Sequence, residues 1–141
     1  SYKMQKKINS TKKINDKNGN LLAIIINSNL EEGKKKFHTS NDLNFQIGTF
    51  NLNENDTLER HIHHKNIRTV EYTSEALVIL EGKLIVSIFD EKKSFISSHT
   101  LTKGHVALFL IGGHSFKIDE DTKFIEIKQG PFQEGLDKEK F

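Results

Sequence analysis

Three of the seven histidines in this 141-residue chain stand where they could share one ion. His61 and His63 flank Ile62. On a strand, side chains two residues apart point to the same face, so both imidazoles can reach one point. His64 then falls on the opposite face. Glu75 precedes Gly82 with six residues between them, so its carboxylate opens a strand that runs to Glu81-Gly82. His114 directly follows Gly112-Gly113, where the missing side chains allow a tight turn and a close backbone approach. Three neutral imidazoles and one carboxylate suit Fe(II), Mn(II), Ni(II), Co(II) or Zn(II) better than Ca(II) or Mg(II). An octahedral ion held by four such ligands keeps two positions open. There it polarises a carbonyl or lowers the pKa of bound water to about 7. Taken singly, a His-X-His, a glutamate before a turn and a Gly-Gly-His are each more often structural than functional. Their order and spacing make the signal.

The elements that must position these residues read as strands. Asp16-Lys17-Asn18-Gly19-Asn20 carries Asn-Gly, a turn signal because both residues tolerate positive φ. Leu21–Ile26 follows as a short β-branched apolar run. Residues 27–44 form a long connection with room for a short helix. Strands are expected at Phe45–Leu52, Ala76–Leu80, Lys83–Phe89, Ser94–Leu101, His105–Ile111, His114–Ile118 and Lys123–Lys128. Glu81-Gly82 reads as a hairpin turn, Asp90-Glu91-Lys92-Lys93 as another, and Asp119-Glu120-Asp121 as the turn joining a final pair. Short strands with turns every 8–12 residues or so predict one all-β sandwich or barrel. Only Gln133–Phe141 looks mildly helical. The division is an N-terminal polar segment 1–20, a barrel 21–132 and a tail 133–141. Ser1-Tyr2-Lys3 reads as a cloning remnant ahead of Met4.

Composition narrows the class. There is no cysteine, which excludes disulfides and thiolate metal sites. The formal charge is only +2, and Lys34-Lys35-Lys36, the one dense basic cluster, reads as a solvated turn. Nucleic-acid binding would call for more arginine with interleaved aromatics. No run of 18 apolar residues exists to span a membrane, and no apolar stretch precedes Leu21 to act as a secretory signal. A cytoplasmic protein is the expectation.

The stretch from Arg60 to Phe116 resembles the two motifs of the cupin superfamily. His61, His63, Glu75 and Gly82 match the first motif, and Gly104 through His114 match the second. The resemblance implies a double-stranded β-helix (jelly-roll) barrel with one divalent transition metal (Zn, Fe, Mn or Ni) held by His61, His63, Glu75 and His114. The gap between His63 and Glu75 exceeds the family's short spacing. Lys65-Asn66-Ile67 must therefore loop out, or Glu71 is the acidic ligand. A second departure is Gly112-Gly113 where the family has a proline before the last histidine. More weakly, Asp16–Ile24 and His61-Ile62-His63 look like the sugar-nucleotide ketoisomerases of bacterial surface-polysaccharide pathways. Their histidines move protons without a metal, and an acidic residue at the position of Glu75 argues against that version. The tail Glu126–Phe132 looks like that of small bacterial cupins of cell-surface sugar loci.

Several other residues are candidates near the site. Arg60 and Arg68, the only arginines, stand to clamp a carboxylate or phosphate, and Tyr72 to act as acid or base. Phe50 or Phe116 is expected to floor a pocket, Phe89 and Phe109 to sit in the core, and His38, His99 and His105 to be structural or exposed. The leading expectation is a metal-dependent isomerase or epimerase acting on a sugar, sugar nucleotide or sugar acid. The alternatives are an Fe(II)-dependent dioxygenase and a non-catalytic sugar- or metal-binding module. A homodimer is expected, with the doubly apolar Leu21–Ile26 strand as a pairing edge.

Overall fold

The computed structural model describes residues 11–27 and 35–141. Among these residues ten strands follow one another: β1 Thr11–Asn15, β2 Leu21–Ile26, β3 Lys35–Phe37, β4 Gly48–Phe50, β5 Glu75–Glu81, β6 Lys83–Phe89, β7 Phe95–Thr102, β8 Val106–Phe109, β9 Gly113–Ile118 and β10 Lys123–Lys128. No helix occurs among the described residues, so the mildly helical tail is corrected to turns and extended chain. Of the connection 27–44, with its room for a short helix, residues 28–34 lie outside the described residues and the rest hold no helix. Among those described, no helix is long and apolar enough to cross a membrane.

The strands form three antiparallel sheets, none closed into a barrel: β1-β2-β8-β5-β10, β7-β6-β9, and the small hairpin β3-β4. The main core lies between the two larger sheets. Ala23, Ile25, Leu77, Ile79, Ala107 and Phe109 from one meet Leu84, Val86, Ile88 and Leu101 from the other. A second cluster, Ile24, Ile26, Ala76, Leu108 and Leu110, sits on the opposite face of the five-stranded sheet. Leu43, Phe45 and Ile47 cover it. The buried His38, hydrogen-bonded to Thr11 at 2.6 Å and Thr49 at 2.9 Å, fixes that cover to β1. His38 is structural, as its sequence context indicates.

These two clusters explain why Leu21–Ile26 is apolar on both faces. It is an interior strand between β1 and β8, not a dimerising edge. Thr11–Asn15, inside the segment read as a polar leader, is the strand that covers it. Its lysines hide the signal because only Ile14 is buried.

Two of the expected hairpins are corners instead. β5 and β6 belong to different sheets, as do β9 and β10. The chain crosses between layers at Gly82 and again at 119–122. The corners interlock: Thr122 Oγ1 accepts from the Lys83 amide at 3.1 Å, and the Asp119 amide donates to the Lys83 carbonyl at 3.0 Å. Gly82 takes φ +87°, and a Cβ there would collide with the Asp121 carbonyl oxygen. True hairpins join β1 to β2 and β6 to β7, with Asp16 and Asp90 carboxylates accepting the turn amides. Phe45–Leu52 shrinks to the three residues of β4, because Phe45 and Ile47 pack on the second core instead of pairing.

Gly82→Ala should lower stability by more than the roughly 1–2 kcal/mol that left-handed backbone alone costs. Gly19→Ala, at φ +84° with open space around it, should cost only that strain. Denaturant titration of the two variants separates collision from conformation, and equal losses would show that the corner contact contributes nothing.

Candidate functional site

The two large sheets present two chemically active side chains to one another at one end of the sandwich. Glu75 opens β5, where it faces Phe109 of β8 on one side and Lys128 of β10 on the other. His114 is the second residue of β9, opposite Ile88 in the facing sheet. Across the gap His114 Nε2 stands 2.5 Å from Glu75 Oε1. Both are largely enclosed, with side-chain exposures of 27% and 12%.

Aromatic rings support the histidine. The Phe109 ring stacks on it at 4.2 Å with 20° between planes, and Phe116 tilts beside it at 5.3 Å. Phe124 of β10 continues the wall, 6.2 Å from Phe116. Stacked on one ring and flanked by another, the imidazole has less freedom to swing away from Glu75. Phe116 thus lies beside His114. Phe50 does not, since it packs against Phe37 on the small hairpin. Phe109 belongs to the core and to the site at once.

A second carboxylate completes the group. Glu126 shares a face of β10 with Phe124 and hydrogen-bonds to Glu75. The bond from His114 holds Glu75 below the usual glutamate range against the opposing effect of burial, and the contact with Glu126 adds to the lowering. The same contact with Glu75, with burial, pushes Glu126 up. Of the two, Glu75 ionises first as pH rises, and Glu126 holds its proton to higher pH. Glu126 went unnoticed in the sequence because a lone glutamate among alternating residues has no signature. Its meaning comes only from pairing β10 beside β5.

The other expected site residues lie elsewhere. Every residue from Phe50 to Thr73 is exposed, and none from Asn51 to Ser74 belongs to a strand. His61-Ile62-His63 is therefore not a strand in this structure, which corrects the geometry assumed for it. The two rings stay 5.2 Å apart, and His61 Nδ1 contacts the Glu59 carbonyl at 2.9 Å. Arg60 is on the same exposed stretch. Arg68, Glu71 and Tyr72 line a cavity of about 360 Å³ with Gln129, Gly130 and Pro131. The Tyr72 hydroxyl donates to Glu91, and that bond, with the carboxylate's charge, raises the phenol's pKa. That bond engages the hydroxyl at the β6–β7 turn.

No known family profile, curated protein or solved structure matches this chain. The site must be read from its own geometry. Among the described residues no three histidine or acidic side chains converge to hold one ion. The structure brings Glu75 and His114 together, while His61 and His63 lie on the exposed stretch. His99 and His105 border a separate cavity of about 360 Å³ with Lys12 and Ser98. Local bonds to Ser97 and Thr102 engage them, in keeping with structural roles.

The two glutamates tie stability to pH in opposite senses. Glu75, depressed in the fold, contributes stability above the ordinary glutamate pKa that is lost as pH falls through its lowered value. Glu126, raised in the fold, contributes stability below that pKa that is lost as pH rises through its raised value. Thermal melts of chelator-treated protein should therefore show losses on both sides of a mildly acidic optimum. In Glu126→Gln the loss on the higher-pH side should vanish while the acid-side loss remains. Identical profiles for wild type and variant would show that the carboxylates are not in contact.

Proposed function

We propose that this protein is a cupin-like isomerase or epimerase of a sugar, sugar nucleotide or sugar acid, with Glu75, His114 and Glu126 as its proton-transfer group. The observation that carries this reading is the 2.5 Å contact between His114 and Glu75 beside a wall of phenylalanines. A jelly-roll arrangement agrees with the strand order, in which consecutive strands from β7 to β10 alternate between two facing sheets.

Adjacent groups whose environments drive their protonation apart supply a base and an acid together. Glu75, ionised, takes the proton from the carbon next to a substrate carbonyl. Glu126, protonated, gives a proton to the carbonyl oxygen as the enediol forms. Return of a proton to the neighbouring carbon, with release of the hydroxyl proton to Glu126, completes a redox-neutral isomerisation that needs no co-reactant. His114 holds Glu75 in place through its N–H, and the rings of Phe116 and Phe124 offer a surface for the apolar face of a sugar.

A metal-dependent form of the same reaction is favoured by the paired imidazoles of His61 and His63. A bound divalent ion would polarise the carbonyl. Glu75 and His114 would hold it together with those histidines, provided the exposed stretch is brought to them.

The test is carbon-bound hydrogen exchange in D2O, followed by NMR over a panel of keto sugars, sugar acids and nucleotide-linked keto sugars. Wild type should wash deuterium into at least one of them. Glu75→Gln should slow that exchange by about 10²–10⁴, the usual contribution of a positioned acid or base. No exchange across the panel, or full exchange by Glu75→Gln, would overturn the assignment.

A further inference from the structure

The two large sheets do not join along the side where β1 and β7 run. Among the described residues each of these is the last strand of its own sheet. A cavity of about 360 Å³ opens between them. Lys12, Ile25 and Asn27 line it from the five-stranded sheet, His99 from β7, and His105 from the turn before β8. No carboxylate lines it. The cavity is well removed from Glu75 and His114. Glu75 pairs with Phe109 at the far end of β8, whereas His105 precedes that strand and its carbonyl accepts from the Ile79 amide at 3.0 Å. At the usual strand rise the two levels lie about 13 Å apart along β8.

The lining has the chemistry of an anion site. Lys12 shares the inward face of β1 with the buried Ile14, and Lys13 lies on the opposite face. The bonds that place the two imidazoles use one nitrogen of each ring. His105 Nδ1 accepts from the Thr102 amide at 3.0 Å, which puts the proton of the neutral ring on Nε2. Ser97 Oγ stands 2.7 Å from His99 Nε2, so Nδ1 is the nitrogen left for a ligand. Burial, and then the charge of Lys12, hold His99 below the usual histidine range. An anion in the cavity turns that balance, because its charge opposes that of Lys12 and favours the imidazolium.

The arrangement of donors narrows the anion. A carboxylate is flat and is met best by the planar fork of a guanidinium, which this lining lacks. Lys12, His99 and His105 are instead point donors carried by three separate elements. Three such donors suit the three terminal oxygens of a phosphoryl group. Small-molecule cavities begin at about 300 Å³, so the ligand is a small one. Ile25 gives the wall one apolar side chain.

We propose that the seam between β1 and β7 binds a phosphoryl group, as free phosphate or a small phosphate monoester, through Lys12, His99 and His105. The site is independent of the chemistry assigned to Glu75, and it stands or falls by binding alone.

The test follows the imidazole resonances of His99 and His105 by NMR, with His99→Gln and His105→Gln used to assign them. Inorganic phosphate is titrated into wild type at fixed pH, with ionic strength held by sodium chloride, and glycerol phosphate is titrated separately. With at least one of the two, both rings should shift together and saturate with one dissociation constant. Tighter binding of glycerol phosphate would assign a monoester, and tighter binding of phosphate the free ion. Lys12→Ala should weaken binding by about tenfold or more, the usual weight of a hydrogen bond to a charged group. Lys13→Ala should leave it unchanged, and both lysines are exposed, so neither change disturbs the core. Shifts that fail to saturate, no shift with either compound, or equal weakening by the two lysine variants would overturn the site.

Discussion

The centre of the five-stranded sheet must bury both of its faces, and most of the architecture follows from that requirement. β2 and β8 lie side by side at its centre with side chains packed above and below. One face needs the three-stranded sheet, the other the cover of Leu43, Phe45 and Ile47. Burying a single large aliphatic side chain is worth about 1.5–3 kcal/mol. Leu22, Ile24, Ile26 and Leu108 are all essentially inaccessible to water. The facing sheet is held at the distance this core sets, and that spacing brings His114 on β9 against Glu75 on β5.

The strands were largely legible in the sequence, because period-two alternation and glycine or aspartate turns are local signals. β2, β6 and β10 begin and end where the residue pattern places them. Partnership was not legible. Gly82 and Asp119-Glu120-Asp121 look like hairpin turns, since a glycine or an acidic cluster between two strands permits either a reversal or a corner. Whether the chain stays in one sheet or crosses to the other is decided by the twofold packing of β2 and β8, which lies far away in sequence. β1 was hidden for the opposite reason: a strand covering an edge needs only one buried residue, so its lysines mask it.

The site divides the same way. Glu75 and His114 were singled out by spacing, and the fold brings them into contact. Phe116, a candidate for a pocket floor, has its ring beside His114. Glu126 and the stacking role of Phe109 emerge only once β10 and β8 flank β5. The His-X-His segment takes no strand, and spacing of two places side chains on one face only once a strand has formed. The tail acts across the same end of the molecule. Asp137 bonds Thr73, Glu139 pairs with Lys93 at 2.6 Å, and the Phe141 ring meets Phe89 at 5.2 Å beside Gly113.

The central position of β2 also has a consequence during biosynthesis. Its hydrogen-bonding neighbours are β1, which emerges just before it, and β8, which lies about 80 residues further on. At 5–20 residues per second, Leu21–Ile26 waits on the order of 4–16 s at the ribosome before its second partner exists. Throughout that interval three consecutive isoleucines are shielded by the β1 hairpin along one edge alone. A nascent chain in that state is a natural client for holding chaperones. Slower codons downstream of β2 would lengthen the exposure in direct proportion, so yield should respond to translation speed between β2 and β8 more than anywhere else in the message.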